Sequence, residues 1–235
     1  MTELELKYMI DGEEAFERCL DALEKLCGPG SVRLQTNYYY DTPKRELHKA
    51  GVTLRIRQNR GRMQGQVKIH DGGRSGKSEE SYFLVSELPK YLLLEGKKAK
   101  LLGSLTTQRH CFDWHGCEID LDANHYLGNT DYELEIEYPA GDVGMAAETA
   151  AMLSDSVVLT ASRGGKYSRF LKALKRCAKL TRCINNTGES DTVDNDTGDN
   201  DTGDRPDSDN TGDRPGSKQC ADSYSSETFE SGELK

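Results

Sequence analysis

Residues 117–138 read CEIDLDANHYLGNTDYELEIEY, and this stretch decides the fold. Its carboxylates occupy every second position of two short segments: Glu118, Asp120 and Asp122, then Glu133, Glu135 and Glu137. Leucine and isoleucine fill the positions between most of them. Because successive side chains of a β-strand point to opposite faces, each segment would place its carboxylates on one face and its apolar residues on the other. The stretch therefore predicts two strands, each with one charged and one apolar face.

The same alternation recurs, with different charges, on three other segments. They are TELELKYMI (2–10) with Glu3, Glu5 and Lys7, TLRIR (53–57) with Arg55 and Arg57, and QVKIH (66–70) with Lys68. On any single strand a solvent-exposed charged face is the simpler interpretation, since antiparallel sheets often bury only one face. Across all the strands, the pattern also fits a closed barrel whose inner carboxylates hold a hard cation and whose arginines hold a polyanion. Residue patterns alone leave both interpretations open.

Segments of helical period accompany these strands. Apolar residues recur at helical spacing within 11–30, where a Gly-Pro-Gly sequence predicts the end of the helix. Two more helices are predicted in 143–155 and 167–180, and a short one within 86–102. Most segments between 35 and 140 are short, rich in β-branched or aromatic residues, and separated by turn signals such as NRGR and HG. This pattern predicts an α+β domain with an antiparallel sheet or barrel and helices on one side.

The C-terminal region differs in composition from the rest of the chain. Residues 186–235 contain 14 Asp or Glu and 4 Lys or Arg, so they account for the net charge of −9 and leave residues 1–185 close to neutral. This region repeats DTGD and TGDRP and is nearly free of aliphatic residues, so it has too little apolar surface to offset the entropy of ordering. We predict a folded domain over 1–182 and a disordered acidic low-complexity tail over 183–235.

The cysteines and the hydropathy indicate the cellular setting. The seven cysteines show no metal-ligand spacing, and no apolar run is long enough to cross a membrane. Reduced thiols and a cytoplasmic location are therefore expected, with no membrane partner.

Five motifs, in order, resemble the signatures of the CYTH superfamily, also called the triphosphate tunnel metalloenzymes. They are ELELK (3–7), YYDTPKRELHKAGVTLRIR (39–57), VKIH (67–70), LDANHYLGNTDYELEIE (121–137) and SRGGKYSRF (162–170). ELELK alone is a weak signal, whereas five motifs in the right order are specific. The amino-acid sequence of the fourth motif is most similar to that of the bacterial tripolyphosphatase-like branch. The match extends to about residue 180 and excludes the tail.

The resemblance implies a closed eight-stranded antiparallel β-barrel, a triphosphate tunnel with helices packed outside, that works with Mg²⁺ or Mn²⁺. Under this resemblance the metal ligands are Glu3, Glu5, Asp122, Glu135 and Glu137. The residues for triphosphate binding and catalysis are Lys7, Arg55, Arg57, Lys68, Arg109 and Lys166, and Glu80 and Arg169 also bind substrate. Glu79 is the alternative to Glu80, Asp120 and Glu133 share a face with the matched residues, and Tyr39 and Asp41 shape the strand before the arginine pair.

The implied reaction is attack of water on a terminal phosphorus of a linear triphosphate, with inorganic tripolyphosphate as the foremost substrate. Thiamine triphosphatase, nucleoside or RNA 5′-triphosphatase and class IV adenylyl cyclase are alternatives on the same fold. A non-catalytic polyphosphate-binding module is an alternative of another class, although the complete set of matched carboxylates favours catalysis. The expected partner is a small triphosphate or polyphosphate rather than a nucleic acid, and a homodimer is possible.

Overall fold

The computed structural model describes residues 4–70, 78–162 and 164–187, and the side chains of 78 and 182–187 are outside this description. Its strands are β1 (Glu5–Ile10), β2 (Ser31–Asp41), β3 (Val52–Asn59), β4 (Arg62–His70), β5 (Ser78–Leu84), β6 (Tyr91–Leu94), β7 (Lys97–Trp114), β8 (Cys117–Tyr126), β9 (Asn129–Glu137) and β10 (Thr160–Ala161). Its helices are α1 (Glu13–Cys27), α2 (Glu46–Lys49), α3 (Val143–Ser154) and α4 (Lys166–Thr187). Residues 183–187 of the predicted tail belong to α4, and the rest of the tail lies outside the described residues.

All strands belong to one antiparallel sheet. Its hydrogen-bonded order is β10-β1-β9-β8-β7-β2-β3-β4-β5, and β6 pairs with β7 beside this path. The predicted antiparallel α+β class is confirmed. β1 and β5 are far apart in this order, yet Lys7 of β1 and Glu80 of β5 line the same cavity. The sheet is therefore strongly curved, although within the described residues no ladder joins β5 back to β1.

Two-residue turns ending in glycine form four of the hairpins. The turns are Arg60-Gly61, Glu95-Gly96, His115-Gly116 and Leu127-Gly128, and both residues of each have positive φ. That geometry is the type I′ turn, whose twist matches the twist of paired strands and whose second residue favours glycine. The sequence signals NRGR and HG thus mark real hairpins.

One predicted helix is wrong. Residues 86–102 were expected to contain a short helix, whereas they form β6 and the start of β7 around the Glu95-Gly96 turn. Leu92, Leu94 and Ala99 pack against the cluster that contains Tyr40 and Leu54. Alternate leucines on β6 reach this core, so packing of a period-two face prevails over the helical propensity of leucine and lysine.

The apolar side of the sheet is covered by α1 and α3. Phe16 and Leu23 of α1 and Leu153 of α3 share one core with Ile119 of β8 and Leu134 of β9. This packing is the reason why the acidic residues between those apolar positions face the concave side. The expectation of helices packed outside the sheet is met by these two helices.

The last helix lies against the other face. Phe170 of α4 packs with Tyr39, Leu105 and Tyr126, and the Tyr39 and Phe170 ring centroids are 5.2 Å apart. Tyr39 is paired with Arg55 across β2 and β3, so both side chains lie on the concave, charged face. α4 therefore covers one end of that face and brings its first residue, Lys166, into it.

Candidate active site

The curved sheet and the start of α4 enclose a cavity of about 670 Å³. Charged side chains dominate its lining: Glu5, Lys7, Arg55, Arg57, Lys68, Glu80, Arg109, Glu135, Glu137 and Lys166. Behind them, Asp122 and Glu133 are fully buried. A charged face directed to bulk solvent would leave these carboxylates exposed. The structure therefore supports the inward-facing interpretation of the alternating strands.

Carboxylates from three adjacent strands converge on one side of the cavity. We name Glu5, Asp122, Glu133, Glu135 and Glu137, from β1, β8 and β9, the acidic wall. Oxygens of Glu5, Glu135 and Glu137 lie within 4.8 Å of one another, and so do oxygens of Asp122, Glu133 and Glu135. Register explains the convergence, because Glu5 is paired directly with Glu137, and Glu133 with Asp122.

Four cations neutralise the acidic wall, and one of them, Arg169, lies 2.8 Å from Glu133. The Lys166 ammonium lies 2.9 Å from Asp122 and 2.7 Å from Glu133, and it also contacts Glu135. The Arg109 guanidinium lies 2.7 Å from Asp122 and from Glu135 and also contacts Asp120, while the Lys7 ammonium lies 2.9 Å from Glu135. Buried charges are tolerated when they are paired in this way.

The pKa values follow from this pairing. Burial alone would raise the pKa of Glu135, but Lys166, Lys7 and Arg109 outweigh it and hold that pKa well below its ordinary value. Burial would lower the pKa of Lys166, but Asp122, Glu135 and Glu133 raise it. Asp120 is different, because burial raises its pKa to about 6 despite the opposing effect of Arg109. A hydrogen bond from the Cys111 thiol works in the same direction as Arg109.

The opposite side of the cavity is cationic. We name Arg55, Arg57 and Lys68, from β3 and β4, the basic wall. The Arg55 Nε donates to Gln66 Oε1 at 2.7 Å and the Arg57 Nε to Asn37 Oδ1 at 3.0 Å. Neither arginine has a carboxylate partner in the described part of the chain. Burial, with Arg55 and Arg109 nearby, lowers the pKa of Arg57 to about 10.

Two neutral groups add hydrogen-bonding capacity beside the basic wall. The Tyr39 hydroxyl and the Asn37 Nδ2 are buried and have no hydrogen-bond partner among the described residues. Both residues are on β2, in phase with the arginines that they pair with on β3. Unpaired buried donors beside unneutralised arginines are suited to an anion with several acceptor oxygens.

Comparison with known proteins agrees with this geometry. The model of the CYTH domain matches residues 1–150. The chain belongs to the CYTH family. No curated protein matches it.

Solved structures share the CYTH fold at low sequence identity. HpAC1 of Hippeastrum, an adenylyl cyclase by name with a dominant triphosphatase activity, is 19% identical with a TM-score of 0.58 over 72% of this chain and 95% of its own. An adenylate cyclase by name from Bacillus halodurans is 23% identical with a TM-score of 0.56 over 72% and 96%. PH1819 of Pyrococcus horikoshii is 15% identical with a TM-score of 0.50 over 72% and 99%.

Most of the predicted site residues of this CYTH domain meet at the cavity. Glu80, half-buried and 2.9 Å from Lys68, lines it, whereas Glu79 is exposed and does not. Arg169 is outside the lining, because Asp131 and Glu133 hold its guanidinium at 2.8 Å each. Asp122 lies behind Arg109 and Lys166, and Glu3 lies outside the described residues.

The residues of this CYTH domain fit a divalent cation. Carboxylate oxygens are the donors that Mg²⁺ and Mn²⁺ prefer, and the acidic wall supplies them in two overlapping groups. The group of Glu5, Glu135 and Glu137 borders the cavity, and the Lys7 ammonium lies 3.1 Å from Glu5 and 2.9 Å from Glu135 there. Lys166 occupies the deeper group.

Sequence reasoning missed Asn37, which accepts the hydrogen bond from Arg57, and gave Tyr39, which lines the cavity, only a structural role. The signal was present, since Gln35, Asn37, Tyr39 and Asp41 alternate along β2 as the charged residues do on other strands.

Among the described residues, no helix is long and apolar enough to cross a membrane.

Proposed function

We propose that this CYTH domain hydrolyses a linear triphosphate, inorganic tripolyphosphate above all, with Mg²⁺ or Mn²⁺. The observation that carries the proposal is the pair Arg55 and Arg57. Both face the acidic wall across one cavity and have no carboxylate partner among the described residues. Unneutralised arginines in a cavity bind an anion, and their planar forks match phosphate oxygens. The dominant triphosphatase activity of the Hippeastrum protein supports the same reaction.

Each wall has its own task in this proposal. Glu5, Glu135 and Glu137, with Glu3 and Asp122, would hold the cation, which supplies charge neutralisation on phosphate oxygens when bound. Arg55, Arg57, Lys68 and Arg109 would bind the phosphate chain, with Glu80 orienting Lys68. Lys7 and Lys166 lie at the border of the acidic wall and the cavity. They are placed to contact the terminal phosphate while remaining paired with carboxylates.

The reaction is a displacement by water. The water oxygen bonds to the terminal phosphorus, the bridging P–O bond breaks, and orthophosphate and pyrophosphate leave. The acidic wall orients the water and accepts its proton. The protein contributes positioning and charge neutralisation, which is most of what phosphoryl transfer requires, and no covalent intermediate forms.

We also infer that the sheet closes into an eight-stranded tunnel around this substrate. The support is the shared lining of one cavity by β1, β4 and β5, which curvature brings together from distant places in the strand order. A thiamine or nucleoside triphosphate would need a pocket for its ring as well. A non-catalytic polyphosphate-binding module would need only the basic wall.

Phosphate release from a substrate panel tests the proposal. The panel is tripolyphosphate, ATP, thiamine triphosphate and long-chain polyphosphate, each with Mg²⁺, with Mn²⁺ and with EDTA. We expect metal-dependent release, fastest from tripolyphosphate. Preferred release from ATP or thiamine triphosphate would identify the ring-containing alternatives, and cyclic AMP formation would identify a cyclase. If tripolyphosphate binds but phosphate is not released with either metal, the proposal of an enzyme would be wrong and a polyphosphate-binding module would be supported.

A further inference from the structure

A second cavity, of about 680 Å³, lies beside the first on the concave face of the sheet. Arginines dominate it: Arg33, Arg57, Arg60, Arg62 and Arg109. Gln35, Arg57 and Arg109 line both cavities. The two cavities therefore meet at these side chains, and one elongated ligand could extend from the first into the second.

The strands give the direction and length of this path. On β3, Arg55 lines the first cavity, Arg57 lines both, and Asn59 lines the second. At ~3.4 Å per residue, Arg55 and Asn59 are about 14 Å apart along the strand. The hairpin then turns through Arg60 to Arg62 on β4. A triphosphate held at the acidic wall could contact Arg57 and Arg109, where the two cavities meet, but the far end of the second cavity, at Asn59, Arg60 and Arg62, lies further along the strands.

The charge of the second cavity is nearly all positive. Arg60 and Arg62 are exposed and have no carboxylate partner in the part of the chain that the structure describes. Arg33 has Glu118, the single carboxylate of the described lining, at 4.0 Å, and both side chains are more than 40% exposed. Such an exposed and distant pair contributes little and is easily broken by a competing anion.

The lining also restricts the kind of polyanion. No aromatic side chain occurs among the described residues of the second cavity, so bases of a single-stranded nucleic acid would find no stacking surface there. Where the two cavities meet, Arg57 and Arg109 offer guanidinium forks, and every unit of a phosphate chain has oxygens that such forks bind.

We infer that the second cavity binds the distal part of a linear polyphosphate longer than three units, while the terminal triphosphate lies in the first cavity. This inference rests on the proposed function and deepens it. It adds Arg33, Arg60 and Arg62 to the substrate site and makes chain length a determinant of affinity. Tripolyphosphate reaches only the first cavity, whereas a long chain contacts both.

The test compares two double variants. Arg60→Asn/Arg62→Gln removes two charges at the second cavity, and Asn suits the positive φ of position 60. Lys97→Gln/Lys100→Gln is the matched control, since both lysines are exposed and line neither cavity. Isothermal titration without divalent metal, which prevents turnover, gives Kd for tripolyphosphate and for polyphosphate of several tens of units. A single-stranded RNA oligonucleotide is the third ligand.

We expect the Kd for long polyphosphate to rise about tenfold in Arg60→Asn/Arg62→Gln, as for the loss of two charge-assisted contacts. The Kd for tripolyphosphate should stay within about twofold, and the control variant should change neither. Equal losses in both double variants, or no selective loss for the long chain, would overturn the inference but leave the proposed function standing. If Arg60→Asn/Arg62→Gln selectively loses RNA binding, the ligand of the second cavity is a nucleic acid and not polyphosphate. Parent protein that binds no tripolyphosphate without metal and releases no phosphate from it with Mg²⁺ or Mn²⁺ would overturn the proposed function itself.

Discussion

The acidic wall and the basic wall face each other across one cavity but are neutralised in different ways. Every buried carboxylate of the acidic wall lies against a lysine or arginine of the same chain, above all Lys166 and Arg109. Arg55 and Arg57 of the basic wall have only neutral hydrogen-bond partners within the described residues. The acidic wall therefore contributes to the stability of the fold, whereas the basic wall keeps its binding capacity for a ligand. Substitutions on the two sides should separate stability from activity.

The largest expected effect is on stability, from Lys166→Met. It would leave Asp122, Glu133 and Glu135 without their shared cation, and breaking a buried ion pair from one side costs about 3–5 kcal/mol. We expect the free energy of unfolding, from urea titration, to fall by this amount. Millimolar Mg²⁺ should recover part of the loss, because the carboxylates are then free to bind it.

The matched control for this experiment is Lys172→Met, an exposed lysine on the same helix. It should change the free energy of unfolding by no more than about 0.5 kcal/mol. Similar losses in the two variants would mean that Lys166 is not the counter-ion of the acidic wall.

Arg57→Gln should show the opposite behaviour, a loss of activity with no loss of stability. The lowered pKa of Arg57 means that the fold disfavours its charge, so removing that charge should leave the melting temperature unchanged or higher. Losing a phosphate contact should lower kcat/KM by about thirtyfold, or about 2 kcal/mol. Steady-state phosphate release and a thermal melt check both parts. Unfolding of the variant, or unchanged kinetics, would contradict the role of the basic wall.

The difference between the walls also explains what sequence could predict. Alternation of charged and apolar residues predicted β1, β3, β4, β8 and β9 and the charged face of each, because a period of two is a local property. Lys166 was assigned through its motif, but its contact with three carboxylates depends on how α4 packs over the sheet. Local patterns contain no information on such packing.

Two other failures have the same origin. Residues 86–102 were predicted helical because their leucines and lysines favour helices, and their strand structure depends on pairing with distant parts of the sheet. Asn37 and Tyr39 are uncharged, so their alternation along β2 was a weak signal, and only register placed them beside Arg57 and Arg55. Site residues whose role depends on strand register, or on a donor being unpaired, can be identified only from the structure.

A smaller effect is expected from Glu5→Gln, which tests metal binding at the border of the acidic wall. The parent should gain stability from Mg²⁺ or Mn²⁺, by ~2.7 kcal/mol at a concentration 100 times Kd. A neutral amide is a poor donor for a hard cation, so the variant should lose most of the metal-induced rise in melting temperature. Its melting temperature without metal should be close to that of the parent, because Lys7 keeps its contact with Glu135.

The control is Glu24→Gln, an exposed carboxylate on α1 that lies outside both groups of metal-ligand candidates. It should keep the full metal-induced shift. An equal shift in Glu5→Gln would mean that Glu5 is not a metal ligand and that the deeper carboxylates bind the ion.

The smallest effect is expected from truncation after Thr187, which removes the acidic residues of the tail and neither wall. The described apolar contacts of α4 come from Tyr167, Phe170, Leu171, Ala173 and Leu174, well before the cut. The melting temperature and kcat should therefore be unchanged. The tail accounts for the net negative charge of the chain, so its removal should weaken the repulsion of an anionic substrate. We expect KM to fall by up to about twofold at low ionic strength and not at all above about 0.15 M salt, where such repulsion is screened. A large drop in melting temperature would mean that the tail belongs to the folded domain. A large drop in kcat would mean that the acidic and basic walls are not the complete active site.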